Sequence, residues 1–120
     1  MKKINELLWE DSTLEQVIVE YDKIIVKVFN DIIKKIVCIE CLNCIGMTNM
    51  YIWDDNIIDS ITLNEIAPQG HEIWKKIYEV YGEESYDSNK NLMNTFYELK
   101  IRIINDFEFS IICQEVNIID

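Results

Sequence analysis

The chain has 120 residues, 49% apolar and 28% charged, with only three Gly and one Pro, a composition that suits one folded domain around one core and excludes a linker-rich or disordered chain. Lys and Arg number 11 against 22 Asp and Glu, so the formal net charge of −11 disfavours nucleic acid and anionic membrane surfaces as partners and favours basic ones. The amino terminus starts basic, but Asn5 and Glu6 interrupt its apolar stretch and no small-residue cleavage site follows. No apolar run approaches the roughly 18 to 20 residues that cross a bilayer, so a soluble, cytoplasmic protein is expected.

In chain order, the first strong period-two signal sets Val17, Val19 and Tyr21 on one face and Gln16, Ile18 and Glu20 on the other. Asp22-Lys23 is the expected turn into a second strand from Ile24 to Phe29, and Asn30-Asp31 punctuates before a third from Lys35 to Cys41. Two further β-rich stretches, around Met50 to Trp53 and Asn56 to Ile66, flank a turn at Asp54-Asp55. After Ala67-Pro68-Gln69-Gly70, the spacing of Ile73, Trp74, Ile77, Tyr78, Val80 and Tyr81 predicts a short amphipathic helix over 71–81, stopped at Gly82. A final hairpin sets Tyr97, Leu99, Ile101 and Ile103 on one face, turns at Asn105-Asp106, and returns with Phe107, Phe109, Ile111 and Cys113 alternating with Glu108, Ser110, Ile112 and Gln114. One buried and one mostly solvated face are expected for it. The expected fold is a predominantly antiparallel α+β domain, about seven strands in a curved sheet or partly open barrel with the helix packed on it.

Candidate chemistry is sparse. Cys38, Cys41 and Cys44, with Cys113 distant in sequence, resemble a metal or iron–sulfur set only superficially. An offset of three puts Cys38 and Cys41 on opposite faces of a strand, and the fourth Cys followed by Pro is missing. Free thiols, buried or half-buried, are therefore expected, with no metal and no cofactor. His71 is the only histidine, and no G-x-S-x-G elbow supplies a nucleophile for it. Gly46, Gly70 and Gly82 stand alone, without a phosphate-cradling loop. Asp54-Asp55 lacks the Gly and terminal Glu of an EF-hand, and reads as a solvated turn. What remains is acidic residues beside large aromatics: Trp9 before Glu10-Asp11, Trp53 before Asp54-Asp55, and Tyr86 between Glu84 and Asp87. Aromatic anchors rimmed by charge are the composition of protein interfaces, although Trp9 and Trp53 read first as core residues, and a binding protein rather than an enzyme is expected.

Trp9-Glu10-Asp11-Ser12-x-Leu14, the hairpin at Tyr21-Asp22-Lys23, Trp53-Asp54-Asp55-x-Ile57-Ile58 and the terminal Ile111-Ile112-Cys113 together resemble small acidic immunity proteins of bacterial polymorphic and contact-dependent toxin systems. The resemblance is diffuse, running along most of the chain without a specific motif. It implies a stoichiometric inhibitor that covers the active-site cleft, or a flanking surface, of a cognate toxin, often a nuclease. The basic cleft of a nuclease would suit an acidic cover. The expected contact residues are Asp54, Asp55 and Asp59, with Glu83, Glu84 and Asp87 as a second patch. The alternatives are a structural or adaptor β-domain that associates through strand edges, and a small-ligand or metal-binding β-domain.

Overall fold

Alternation of apolar side chains becomes burial, strand by strand, in the computed structural model, which describes residues 3–48, 56–66, 96–104 and 107–119. Among these residues a one-turn helix, α1 (Lys3–Glu6), precedes eight strands: β1 (Thr13–Glu20), β2 (Lys23–Asn30), β3 (Lys35–Leu42), β4 (Gly46–Thr48), β5 (Ile58–Ile66), β6 (Phe96–Ile103), β7 (Phe107–Cys113) and β8 (Glu115–Ile119). Every pairing is antiparallel. The expected antiparallel β architecture is borne out. In place of one curved sheet or partly open barrel there are two four-stranded sheets, ordered β1-β2-β3-β8 and β4-β7-β6-β5, which do not close. The helix expected over 71–81 and the strand expected around Met50 to Trp53 lie outside the described residues.

The two sheets are joined where two strands cross from one to the other side by side. β3 leads into β4 through Asn43, Cys44 and Ile45, while β7 leads into β8 through Gln114 alone. The Gln114 amide donates to the Leu42 carbonyl at 3.1 Å, and the Ile45 amide to the Ile112 carbonyl at 2.9 Å. Pairing therefore continues around the corner. Between the pairs Leu42↔Glu115 and Gly46↔Ile112 one strand carries one more residue than the other, a bulge-like mismatch of the kind that lets a strand bend between sheets. Asn43 takes up the bend with φ 55°, a left-handed conformation that Asn tolerates better than most residues.

The opposite end has a lighter tie. The Ile58 amide donates to the Ser12 carbonyl (2.7 Å), the Leu14 amide to the Asn56 carbonyl (2.8 Å), and the Asp11 amide to the Ile58 carbonyl (3.0 Å). Between these ties one continuous core fills the space, with Val26, Val28 and Ile39 from one sheet against Leu99, Ile101, Phe109 and Ile111 from the other. Each such side chain contributes roughly 1.5 to 3 kcal/mol when fully buried.

Three expectations are corrected. The strand after Asn105-Asp106 was expected to run unbroken through Gln114, but the chain changes sheet there and adds β8, with Val116 buried. The final hairpin does not have a solvated second face throughout, because β7 is a central strand and Ser110 and Ile112 are buried as well as Phe109 and Ile111. The first hairpin turns at Tyr21-Asp22 rather than Asp22-Lys23, because Glu20 pairs with Lys23.

Two asparagines hold exposed backbone in place. Asn5 of α1 donates from Nδ2 to the Leu63 carbonyl and accepts from the Leu63 amide, both at 2.8 Å, so its amide group replaces a strand partner on the outer edge of β5. Asn30, 1% exposed, accepts through Oδ1 from the amides of Ile32 (2.9 Å) and Ile33 (3.2 Å) and donates to the Leu8 carbonyl at 3.1 Å. Asn30→Ala leaves those groups unpaired at a buried position, and should lower the free energy of urea unfolding by about 2 to 3 kcal/mol. Asn5→Ala, at a more exposed site, should cost about 1 kcal/mol in the same measurement.

Candidate functional site

From Ile4 to Asp22 the chain has six acidic residues and no Lys or Arg. All six, Glu6, Glu10, Asp11, Glu15, Glu20 and Asp22, are exposed. Four of them lie along β1 or beside its ends: Asp11, Glu15, Glu20 and Asp22. Since β1 is an edge strand of its sheet, these carboxylates form an acidic border. Among the described residues four basic side chains are matched with acids outside this border: Lys23 with Glu40 (3.7 Å), Lys34 with Asp31 (2.9 Å), Lys100 with Glu98 (3.8 Å) and Arg102 with Glu108 (3.6 Å).

One expected contact residue meets this border. Asp59 is exposed on β5, next to the irregular step between Ile58 and Ser60, and the Asp11 amide is bonded to the carbonyl of its neighbour Ile58. Asp54, Asp55, Glu83, Glu84 and Asp87 lie outside the described residues, as do His71, Trp53 and Tyr86. Trp9 lies in the core, as expected. It is 3% exposed, and its Nε1–H donates to the Ile4 carbonyl at 2.8 Å, which makes it a core residue with its one polar group satisfied.

Apolar surface accompanies the acids at both ends of the border. At the Asp11 end, the turn after β2 carries Ile32 and Ile33, and Leu8 lies beside it, all three substantially exposed. This turn is fixed rather than loose, because Asn30 ties it to Leu8 and the Asp31 amide donates to the Ser12 hydroxyl at 3.1 Å. At the other end stand Val19 and Tyr21, the latter wholly exposed. The uncharged exposed residues at this second end had no distinct sequence signal, since Val19 and Tyr21 continue an apolar row that reads as core.

The cysteines occupy the corner between the sheets. Cys41 and Cys113 are buried, Cys44 is half-buried, and Cys38 lies on the opposite face of β3 from Cys41, as the offset of three requires. All four are free thiols. The Cys44 thiol donates to the Cys41 carbonyl at 3.4 Å, and both the Cys41 and the Cys44 thiols are within hydrogen-bonding reach of Cys113. Among the described residues no group of three or more Cys, His, Asp or Glu is arranged to hold a metal ion. The hydrogen bond with Cys41, reinforced by burial, pushes the Cys113 thiol up from 9.0 to about 12, against an opposing contribution from Cys44. The hydrogen bond with Cys113 and burial likewise push Cys44 well above the ordinary thiol range. Thiols held protonated in this way are poor nucleophiles.

For a group whose folded value is raised, the folded state binds the extra proton between the two values, so stability falls as pH climbs through that interval. The urea midpoint should therefore decline between pH 9 and about 12. Cys113→Ala should flatten part of that decline.

No helix among the described residues is long and apolar enough to cross a membrane. Compared with known proteins, the chain matches no protein-family model and no curated protein.

Proposed function

We propose that the protein is a cytoplasmic immunity protein that binds and neutralises a cognate bacterial toxin stoichiometrically, without catalysis, through a basic surface of that toxin. The observation that carries the reading is the acidic border of β1, where exposed carboxylates follow one another from Glu10 to Asp22 with no basic residue between them. Such a border accelerates encounter with a positive cleft, by up to several orders of magnitude at low salt. The fixed aliphatic turn at Leu8, Ile32 and Ile33 supplies the water-excluding contact that charge alone lacks. Asp59 extends the same surface onto the second sheet. A nuclease toxin is the best match among toxin classes, since its phosphate-binding cleft must be positive. The resemblance to immunity proteins noted in the sequence points the same way.

The test is growth of a heterologous bacterial host that expresses the immediately upstream gene. Co-expression of the wild-type protein should restore growth. The triple variant Glu10→Lys/Glu15→Lys/Glu20→Lys should lose the rescue and bind the purified upstream product on the order of 10- to 100-fold more weakly. The control Glu65→Lys/Glu115→Lys, which also reverses exposed charges but away from β1, should retain it. Toxicity that persists with the wild-type protein, or an upstream product that is harmless, would remove the basis for the immunity reading.

A further inference from the structure

The β1–β2 hairpin closes one side of a small open cavity of about 220 Å³, lined by Val19, Tyr21 and Ile24 on one side and by Cys44, Ile45 and Met47 of the crossing segment on the other. Its origin lies in the register. Val19 stands directly opposite Ile24 and shares its core-facing side, yet Ile24 is 3% exposed and Val19 is 61% exposed. The core row of the first sheet therefore runs out into solvent here, leaving apolar wall without apolar filling.

The rim of the cavity is held in a costly conformation. Tyr21 has φ 51°, a region that costs an ordinary L-residue about 1 to 2 kcal/mol and that Asn or Gly would enter far more easily. Its ring is fully exposed, so burial gives nothing back. The turn is nevertheless pinned, because the Cys44 amide donates to the Asp22 carbonyl at 2.7 Å. The two-residue turn itself demands a left-handed first residue, but it does not demand an aromatic there; a rigidly held, fully exposed Tyr ring beside an open apolar cavity is suited to recognition. Glu20 and Asp22, both exposed, flank it.

We propose that this cavity receives one apolar side chain of a protein partner, with Tyr21 packing over it and Glu20 and Asp22 pairing with Lys or Arg residues on either side of that side chain. The volume is below the range of a small-molecule pocket, and it suits a single large side chain. The acidic flanks specify a basic neighbourhood for it. The proposal rests on the reading of the protein as a binder of a basic partner, and it adds the anchor that reading lacks.

Two probes separate the proposal from that reading. The first is backbone and methyl NMR of the full chain titrated with acetyl-Lys-Lys-Phe-Lys-Lys-amide, and separately with the same peptide carrying Ser for Phe. Shifts at Val19 to Ile24 and Cys44 to Met47 with the Phe peptide, and not with the Ser peptide, are expected. Equal responses to both peptides, or none at these residues, overturn the proposal. Contacts in the free protein from the side chains of residues 73–81 to Val19 or Met47 would also overturn it, by assigning the cavity to the chain's own segment. The second probe is Tyr21→Asn, which keeps the left-handed turn. It should raise the thermal midpoint by about 3 to 6 °C while weakening Phe-peptide binding, and binding of the purified upstream product, by about tenfold or more. Unchanged binding by this variant overturns the anchor role. If the Phe peptide seats but the upstream product is not bound by the wild type, the cavity assignment stands and the immunity reading fails.

Discussion

The paired crossing at Asn43 to Ile45 and Gln114 is the constraint on which the rest depends. Without the Gln114–Leu42 and Ile45–Ile112 hydrogen bonds, two four-stranded sheets would each expose an apolar face. With them, β3–β4 and β7–β8 behave as one bent ribbon whose two halves belong to different sheets, so that Val116 and Ile39 face Phe109 and Ile111 across a single core. The bend has three consequences. It brings Cys41, Cys44 and Cys113 together from positions far apart in sequence. It places the Cys44 amide under the β1–β2 turn. It also ends the cover over the first sheet before Val19, which leaves the cavity.

Strand pairing was legible in the sequence wherever one face is core and the other is not. Ile24, Val26 and Val28, and again Leu99, Ile101 and Ile103, alternate with polar or half-buried neighbours and lie where period two puts them. The corner was not legible, for a physical reason. A strand that changes sheet needs one irregular residue, and Gln114 is an ordinary strand residue by type, so its bend is set by Leu42 across the ladder rather than by its own propensity. The three-residue strand at Gly46-Met47-Thr48 is similarly too short to show a period. At the first turn, residue preference pointed to Asp22-Lys23. The register imposed by β2 forced the left-handed position onto Tyr21 instead. Of the expected contact residues, Asp59 alone falls among the described residues, and its neighbourhood with Asp11 could be seen only once β1 and β5 were known to meet.

Polar side chains do at the edges what apolar ones do in the centre. Asn5 completes the outer edge of β5 at Leu63 with both halves of its amide, which consumes hydrogen-bonding groups that another strand would otherwise pair with. Asn30 and Ser12 fix the turn after β2 against the segment before β1. Each asparagine makes a contact across a long stretch of chain, Asn5 to Leu63 over 58 positions and Asn30 to Leu8 over 22. They therefore rigidify exposed structure without adding to the core, and a rigid exposed surface loses little entropy when a partner covers it.

The edge of β1 is protected differently, and the difference bears on function. Its carboxylates would repel a second copy of the same edge, which is reason enough for Glu15 and Glu20 in a protein that must avoid edge-to-edge pairing. Solubility and self-repulsion, however, ask only for charge. They do not ask for an aromatic residue, Tyr21, to stand fully exposed at the left-handed turn position, nor for Val19 to be exposed on the core-facing side of its strand. Both choices work against stability, and both fall at the one end of the acidic edge where a cavity opens. Apolar contact surface set within charge of a single sign disfavours copies of the same chain and favours a partner of the opposite sign, which is the chemistry of the basic partner proposed above.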